Sequence, residues 1–261
     1  MGLCVSKNST SVYGGDSSSA ASTSPMPQGA SAGPTQSTRS SVLGGLSLRS
    51  TAARTSPSHW SSIRTSLRVS DPRDSRLTRA IHVLGDLYRS SPTFRAVAEK
   101  VRDEGGVDIR EGNVKVASTD LTNRATLLSP QTLSNAGSGD GPSLVSALVF
   151  EMNNLARSSE AEAVYGLAQY GAFNASSYAR ELERIEYNTS LSSAQIFEEA
   201  RGALRAHGEG DHPDRWFLQE HPQSGALEPT YSSFEDSLAY QYEIQHATAY
   251  ESEFQRFFNN A

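Results

Sequence analysis

The chain changes character near residue 70, and that break limits what can fold. Residues 1–70 hold 20 serines, six basic residues and a single acid, Asp16. Their scattered apolar residues keep neither a helical nor a strand period. Such a stretch buries too little apolar surface to offset the entropy of ordering it. The remaining 191 residues carry 17 basic and 28 acidic residues, and their apolar positions recur in stripes. That length supports one domain with a substantial core. The expected organisation is a disordered tether over 1–70, in which Trp60 and Ile63–Val69 are either plain linker or pack on the domain or a partner, and a single folded α+β domain over 71–261, mostly α-helical with a small β-sheet.

Several classes drop out. No apolar run reaches the roughly 18 residues that a spanning helix needs, and the start lacks the apolar centre of a signal peptide. Cys4 is the only cysteine. It forms no internal disulfide and no thiolate zinc cluster, which points to a cytosolic working compartment. The acidic folded part argues against nucleic acid as the main partner.

Within the folded part, Asp74 or Ser75 caps a helix to about Ser90, with Leu77, Ile81, Leu84 and Tyr88 on one face. Pro92 opens a second helix carrying Phe94, Val97, Ala98 and Val101, and Gly105-Gly106 ends it. Strands are expected at Val107–Ile109, Asn113–Ala117 and Ala125–Ser129, with Val114 and Val116 on one face. A Gly-rich loop covers Asn135–Pro142. From Ser143 a helix presents Leu144, Leu148, Met152 and Leu155. Another spans 158–172, and Asn174 caps a long segment to about Leu204. A Gly/Pro/His-rich loop runs from His207 to Pro229. Ser232-Ser233-Phe234-Glu235 reads as a capping box starting one last, aromatic-rich helix through Leu238, Tyr242, Tyr250, Phe254 and Phe257. That aromatic stripe is core, or an interface anchor where exposed.

The search for chemistry centres on Phe150-Glu151-Met152-Asn153-Asn154. A zinc-protease helix reads His-Glu-x-x-His, with two ligands one turn apart and a water-polarising Glu between them. Glu151 holds the base position, but Phe150 and Asn154 stand where the ligands belong. Glu151 reads either as a surface carboxylate or as a buried one held by Asn154 or an arginine. Glu183 and Glu186, three apart on a later helix, form a carboxylate pair or a solvated face. His207, His212 and His221 share a loop with Glu209, Asp211 and Asp214, in a spacing that matches no metal pattern. His82 and His246 fall within helices, as polar-face or capped-core residues. Gly137–Gly141 lacks the lysine of a phosphate loop. Cys–His chemistry is excluded by the position of Cys4, and no nucleophile elbow, Walker or kinase motif is present.

The opening Met1-Gly2-Leu3-Cys4-Val5-Ser6-Lys7 matches the N-myristoylation pattern. The acyl chain needs the unbranched amine of Gly2, and Ser6 supplies the hydroxyl of the motif. One myristoyl chain binds a membrane with K of only about 10⁴ M⁻¹, so a palmitate on Cys4 would make the anchor stable. This start, with the Ser-rich, acid-poor residues behind it, resembles the type III secreted effectors of plant-pathogenic bacteria. The resemblance implies secretion by a bacterium, acylation by the host, and residence at the cytoplasmic face of the host plasma membrane. The partner it implies is a host membrane-associated protein in immune signalling. Residues 75–200 resemble a zincin-like effector domain, which implies a degenerate or repurposed site. The expected role is binding; the alternative is a hydrolase or group transferase using Glu151 as acid or base. Asn154, Glu183 and Glu186 are the supporting polar residues, and no cofactor and no metal are expected.

Overall fold

The computed structural model describes residues 2–4, 57–134 and 143–258. Of the expected tether over 1–70, residues 1 and 5–56 lie outside the described residues, as does the Gly137–Gly141 loop. No described helix is long and apolar enough to cross a membrane.

The domain is α+β and mostly helical, as its sequence pattern predicts. Strand β1 (Gly2–Cys4) is followed by α1 (Pro57–Ser66), β2 (Leu67–Val69), α2 (Ser75–Ser90) and α3 (Pro92–Asp103). Then come β3 (Val107–Glu111), β4 (Ala117–Asp120), β5 (Ala125–Leu128) and α4 (Pro130–Ser134). Helices α5 (Leu144–Ala156), α6 (Ser158–Gln169) and α7 (Ala175–Arg205) follow. A short 3-10 turn (Pro213–Trp216) leads into β6 (Leu218–Glu220), β7 (Leu227–Pro229), α8 (Phe234–Glu243) and α9 (His246–Phe258).

The caps form as the residue types dictate. Asp74 accepts from the Arg76 and Leu77 N–H groups at the start of α2. Ser91 accepts from Phe94 N–H at 2.9 Å, with Pro92 in the first turn of α3. Asn174 and Ser177 cap α7 reciprocally. The start of α3 is also tied to α7. Glu199 accepts from the Ser91 hydroxyl (2.6 Å), Thr93 N–H (3.0 Å) and the Thr93 hydroxyl (2.9 Å). A carboxylate there also meets the positive end of the α3 dipole.

The main sheet is mixed, in the order β1-β4-β5-β3-β2. β2 and β5 flank β3 in parallel, β4 and β5 are antiparallel, and β1 runs parallel to β4 with Leu3 opposite Thr119. Behind it lies α5, buried along its whole length. Its four-residue stripe understates it: α5 is buried on every side, its polar Ser146, Glu151, Asn153 and Asn154 included. The 31-residue α7 packs against α2, α3, α5, α6 and α9.

Four details differ from the sequence pattern. The folded unit takes in Gly2–Cys4 as an edge strand and resumes at 57, not 71: Ile63 and Leu67 are core residues, and Trp60 packs on Tyr88 with ring centroids 5.5 Å apart. Gly85 makes room for that indole, since a Cβ there would lie 2.8 Å from Trp60 Nε1. The middle strand is Ala117–Asp120 rather than 113–117. All four of its residues are buried, three of them polar, so it shows no apolar alternation. The 207–229 loop contains the β6–β7 hairpin, short and mostly exposed, which leaves a weak apolar signal. The last helix is two. The capping serine is Ser233, which accepts from Asp236 N–H, and Gln245 breaks the run at φ +63°.

Candidate functional site

Three elements converge on Glu151. β4 supplies Thr119, α5 supplies Glu151 and Asn154, and α7 supplies Glu183 and Glu186. Glu151 has no exposed surface. Thr119 Oγ1 donates to its Oε2 at 2.7 Å, and Asn154 Nδ2 donates to the same oxygen at 3.4 Å. Glu151 Oε1 and Asn154 Oδ1 are buried and have no partner among the described residues. The surface-carboxylate reading of Glu151 is therefore corrected to the buried one, held by Asn154 and by a threonine from the sheet.

Burial pushes the Glu151 carboxyl up to about 7; the Thr119 bond draws it down, and the Glu186 carboxylate raises it. Burying a carboxylate without a full set of donors favours its neutral form.

Glu183 and Glu186 are not a solvated face. They are 2% and 7% exposed, because α9 lies over this side of α7. His246, the first residue of α9, meets Glu183 through Nδ1 at 2.8 Å from Oε1. Tyr250, one turn on, donates its hydroxyl to Glu186 Oε1. Burial raises the Glu183 carboxyl although the His246 bond opposes it. Burial lowers His246, but the Glu183 bond and the Glu186 charge outweigh it and hold the imidazole above its ordinary value. Burial, with Glu186 and Glu183 adding to it, pushes the Tyr250 phenol well up. Phe150 stacks on Phe217 at 5.1 Å and lines a small recess of about 20 Å³ beside Glu183 and Glu186.

The sequence therefore named four members of this cluster, Glu151, Asn154, Glu183 and Glu186, and missed Thr119, His246 and Tyr250. The signal for the last two was a polar pair: His246 and Tyr250 are four apart on α9, and Glu183 and Glu186 three apart on α7. Thr119 carried no signal, because its strand has no alternation.

The remaining candidates go elsewhere. His207 Nε2 meets Asp86 Oδ2 at 2.8 Å. His212 precedes the 3-10 turn. His221 Nδ1 accepts from Gln223 and Ser224 N–H groups in the hairpin loop. His82 is exposed on α2 and meets the His207 ring edge-on. In the aromatic segment, Tyr250 and Phe254 are core, whereas Tyr240 and Ile244 are exposed.

No family model, curated protein or solved structure matches the chain. The zinc implied by a zincin-like helix is tested by the side chains themselves. Phe150 offers only a stacked ring, and Asn154 turns its amide nitrogen to Glu151. Neither fits as a zinc ligand at those two positions.

Proposed function

We propose that this chain is an effector delivered by a bacterium into a plant cell. Acyl chains on Gly2 and Cys4 anchor it to the cytoplasmic face of the plasma membrane. There its folded domain binds a host membrane-associated protein and interferes with immune signalling. The observation that carries the reading is the opening Met1–Lys7, in which the only cysteine of the chain falls two residues from the acylated glycine. Two chains are needed for stable anchoring, and the motif offers two sites.

The enclosure of Glu151 favours binding over catalysis at that residue. A general base must reach its substrate proton, and Glu151 is sealed between β4 and α5. The exposed Tyr170 (90%), Ile244 (51%), Leu167 (49%) and Tyr240 (43%) are the apolar side chains that a partner would cover. The test is membrane fractionation with a myristate label in plant cells. Gly2→Ala should release the protein and abolish labelling, and Cys4→Ser should weaken retention while leaving the label. A soluble, unlabelled wild type would remove the reading.

One observation favours the enzymatic alternative: a carboxyl poised near 7 beside further buried titratable groups is the profile of an acid–base residue. If that role is real, Glu151→Gln abolishes the effect on the host while the fold and membrane retention persist.

A further inference from the structure

We propose that Glu183, Glu186 and His246 form a binding site for a divalent transition-metal ion, with Glu151 as a carboxyl beside it. This inference is independent of membrane anchoring and replaces the sequence-based expectation that no metal is bound.

The geometry comes first. One ligand atom from each of the three side chains lies within 4.8 Å of the others, and among the described residues this is the cluster of His, Cys, Asp and Glu that meets that spacing. Around zinc, with bonds of 2.0–2.2 Å, tetrahedral ligand atoms stand roughly 3.3–3.6 Å apart. A small inward rotation of the carboxylates would close the site. Between Glu183 Oε1 and His246 Nδ1, 2.8 Å apart, the ion would take the place of the proton. Two carboxylates and one imidazole are a donor set that suits zinc and its neighbours in the first transition row.

The charge comes second. Three carboxylates, Glu151, Glu183 and Glu186, gather in the interior around one imidazole. No lysine or arginine is paired with Glu151 or Glu183 among the described residues. Carboxylates are rarely buried unless paired or coordinated to a metal.

The surroundings come third, and they point to a ligand independently of the acids. Glu151 Oε1 and Asn154 Oδ1 are acceptors with no partner among the described residues, in side chains with no exposed surface. Glu186 is near enough to act on the Glu151 carboxyl. Acceptors left open beside a metal site are satisfied by a metal-bound water. The recess of about 20 Å³ that Glu183 and Glu186 line has room for a water. Tyr250, donating to Glu186 Oε1, orients that ligand as an outer partner does in metal sites. The ligands sit on packed helices, not loops, so the site is preorganised.

The experiment uses the full-length chain, made without a histidine tag, stripped with chelator and titrated with Zn²⁺ and Co²⁺. Metal content is read by mass spectrometry, Co²⁺ coordination by visible absorption, and folding by circular dichroism. The expected result is one equivalent of metal per chain with the absorption of a low-coordinate Co²⁺ site. Glu183→Gln, which keeps an oxygen for His246, should weaken Zn²⁺ binding beyond the roughly 10–100-fold that loss of an outer partner costs, and Tyr250→Phe should fall within that range. If Glu183→Gln does not fold, Glu186→Gln and Tyr250→Phe decide the matter. His207→Asn and His221→Asn should bind as wild type. A folded wild type that binds no stoichiometric metal overturns the proposal. So does binding that survives Glu183→Gln and Glu186→Gln, or that is lost in the His207 or His221 variant.

Discussion

Two junctions of the same domain hold a glutamate in opposite ways. At the α3–α7 junction, Glu199 receives the Ser91 and Thr93 hydroxyls, the Thr93 N–H and the Gln195 amide, and these donors hold its carboxyl below its ordinary value despite partial burial. At the β4–α5 seam, Glu151 receives one short bond from Thr119 and one long bond from Asn154, and burial pushes it up to about 7. Both side chains belong to helices packed into one core. Donor count and burial both differ: four donors stabilise the anion of a partly buried Glu199, whereas Glu151 has two and no exposed surface. The first site reads as a structural joint. The second is left electrostatically incomplete, which is the mark of a site awaiting a ligand or a proton.

That contrast can be broken at either end. The largest effect is expected from Glu151→Lys, which buries a cation among α5, β4 and α7 with too few acceptors placed to receive it. It should cost about 3–5 kcal/mol, read by urea denaturation, or prevent folding outright. A wild-type-like stability would mean that Glu151 reaches solvent.

Next comes pH. A carboxyl raised from 4.5 to about 7 in the folded state binds its proton more tightly there than in the unfolded chain. Its stabilising contribution is full below about 4.5 and is lost as pH rises toward 7. The loss amounts to about 3 kcal/mol at most. His246, also raised, acts in the same direction, its contribution fading as pH climbs through its elevated value. The raised Glu183 and Glu253 carboxyls add to the same trend, so stability of metal-free wild type should fall between pH 5 and 8, and Glu151→Gln should flatten part of that slope. An equal slope in the variant would place the titrating group elsewhere.

Glu199 has the opposite sign. Its lowered carboxyl contributes above the unfolded value of 4.5 and loses that contribution as pH falls through the folded one. Glu199→Gln should cost about 2 kcal/mol at pH 7, as for a charged hydrogen-bond acceptor, and much less near pH 3. Smallest of all, Thr119→Val removes the bond that draws Glu151 down. It should cost about 1 kcal/mol and raise the Glu151 titration midpoint, followed by the carboxyl carbon signal in NMR. An unmoved midpoint would show that burial alone holds Glu151 near 7.

Much of the helical frame was legible because its signals are local. Asp74, Pro92 after Ser91, and Asn174 each announce a helix start through side-chain or backbone chemistry within four residues. The misplaced strand was not legible. Ala117–Asp120 gains its place from β5 on one side, β1 on the other and α5 beneath, and its own residues carry no alternation. Composition places the boundary at 70 because it averages over α1, whereas the burial of Ile63 and the pairing of Leu67 with β3 put α1 and β2 inside the folded unit. The break at Gln245 was hidden because Leu238, Tyr242, Tyr250 and Phe254 keep a plausible stripe across it.

By itself, the sequence determined the helix starts, the helical class of the domain, the identity of Glu151, Asn154, Glu183 and Glu186, and an acylation motif at Gly2 and Cys4. All of these depend on spacing within a few residues. Tertiary structure alone decided that the four polar residues meet, that Thr119, His246 and Tyr250 join them, and that Glu151 is sealed from water. Those facts depend on α9 lying across α7 and on β4 lying over α5. Contacts between elements whose residues lie 32 to 64 positions apart set the local dielectric and the supply of donors. These two quantities turn an ordinary glutamate into one that titrates near neutrality.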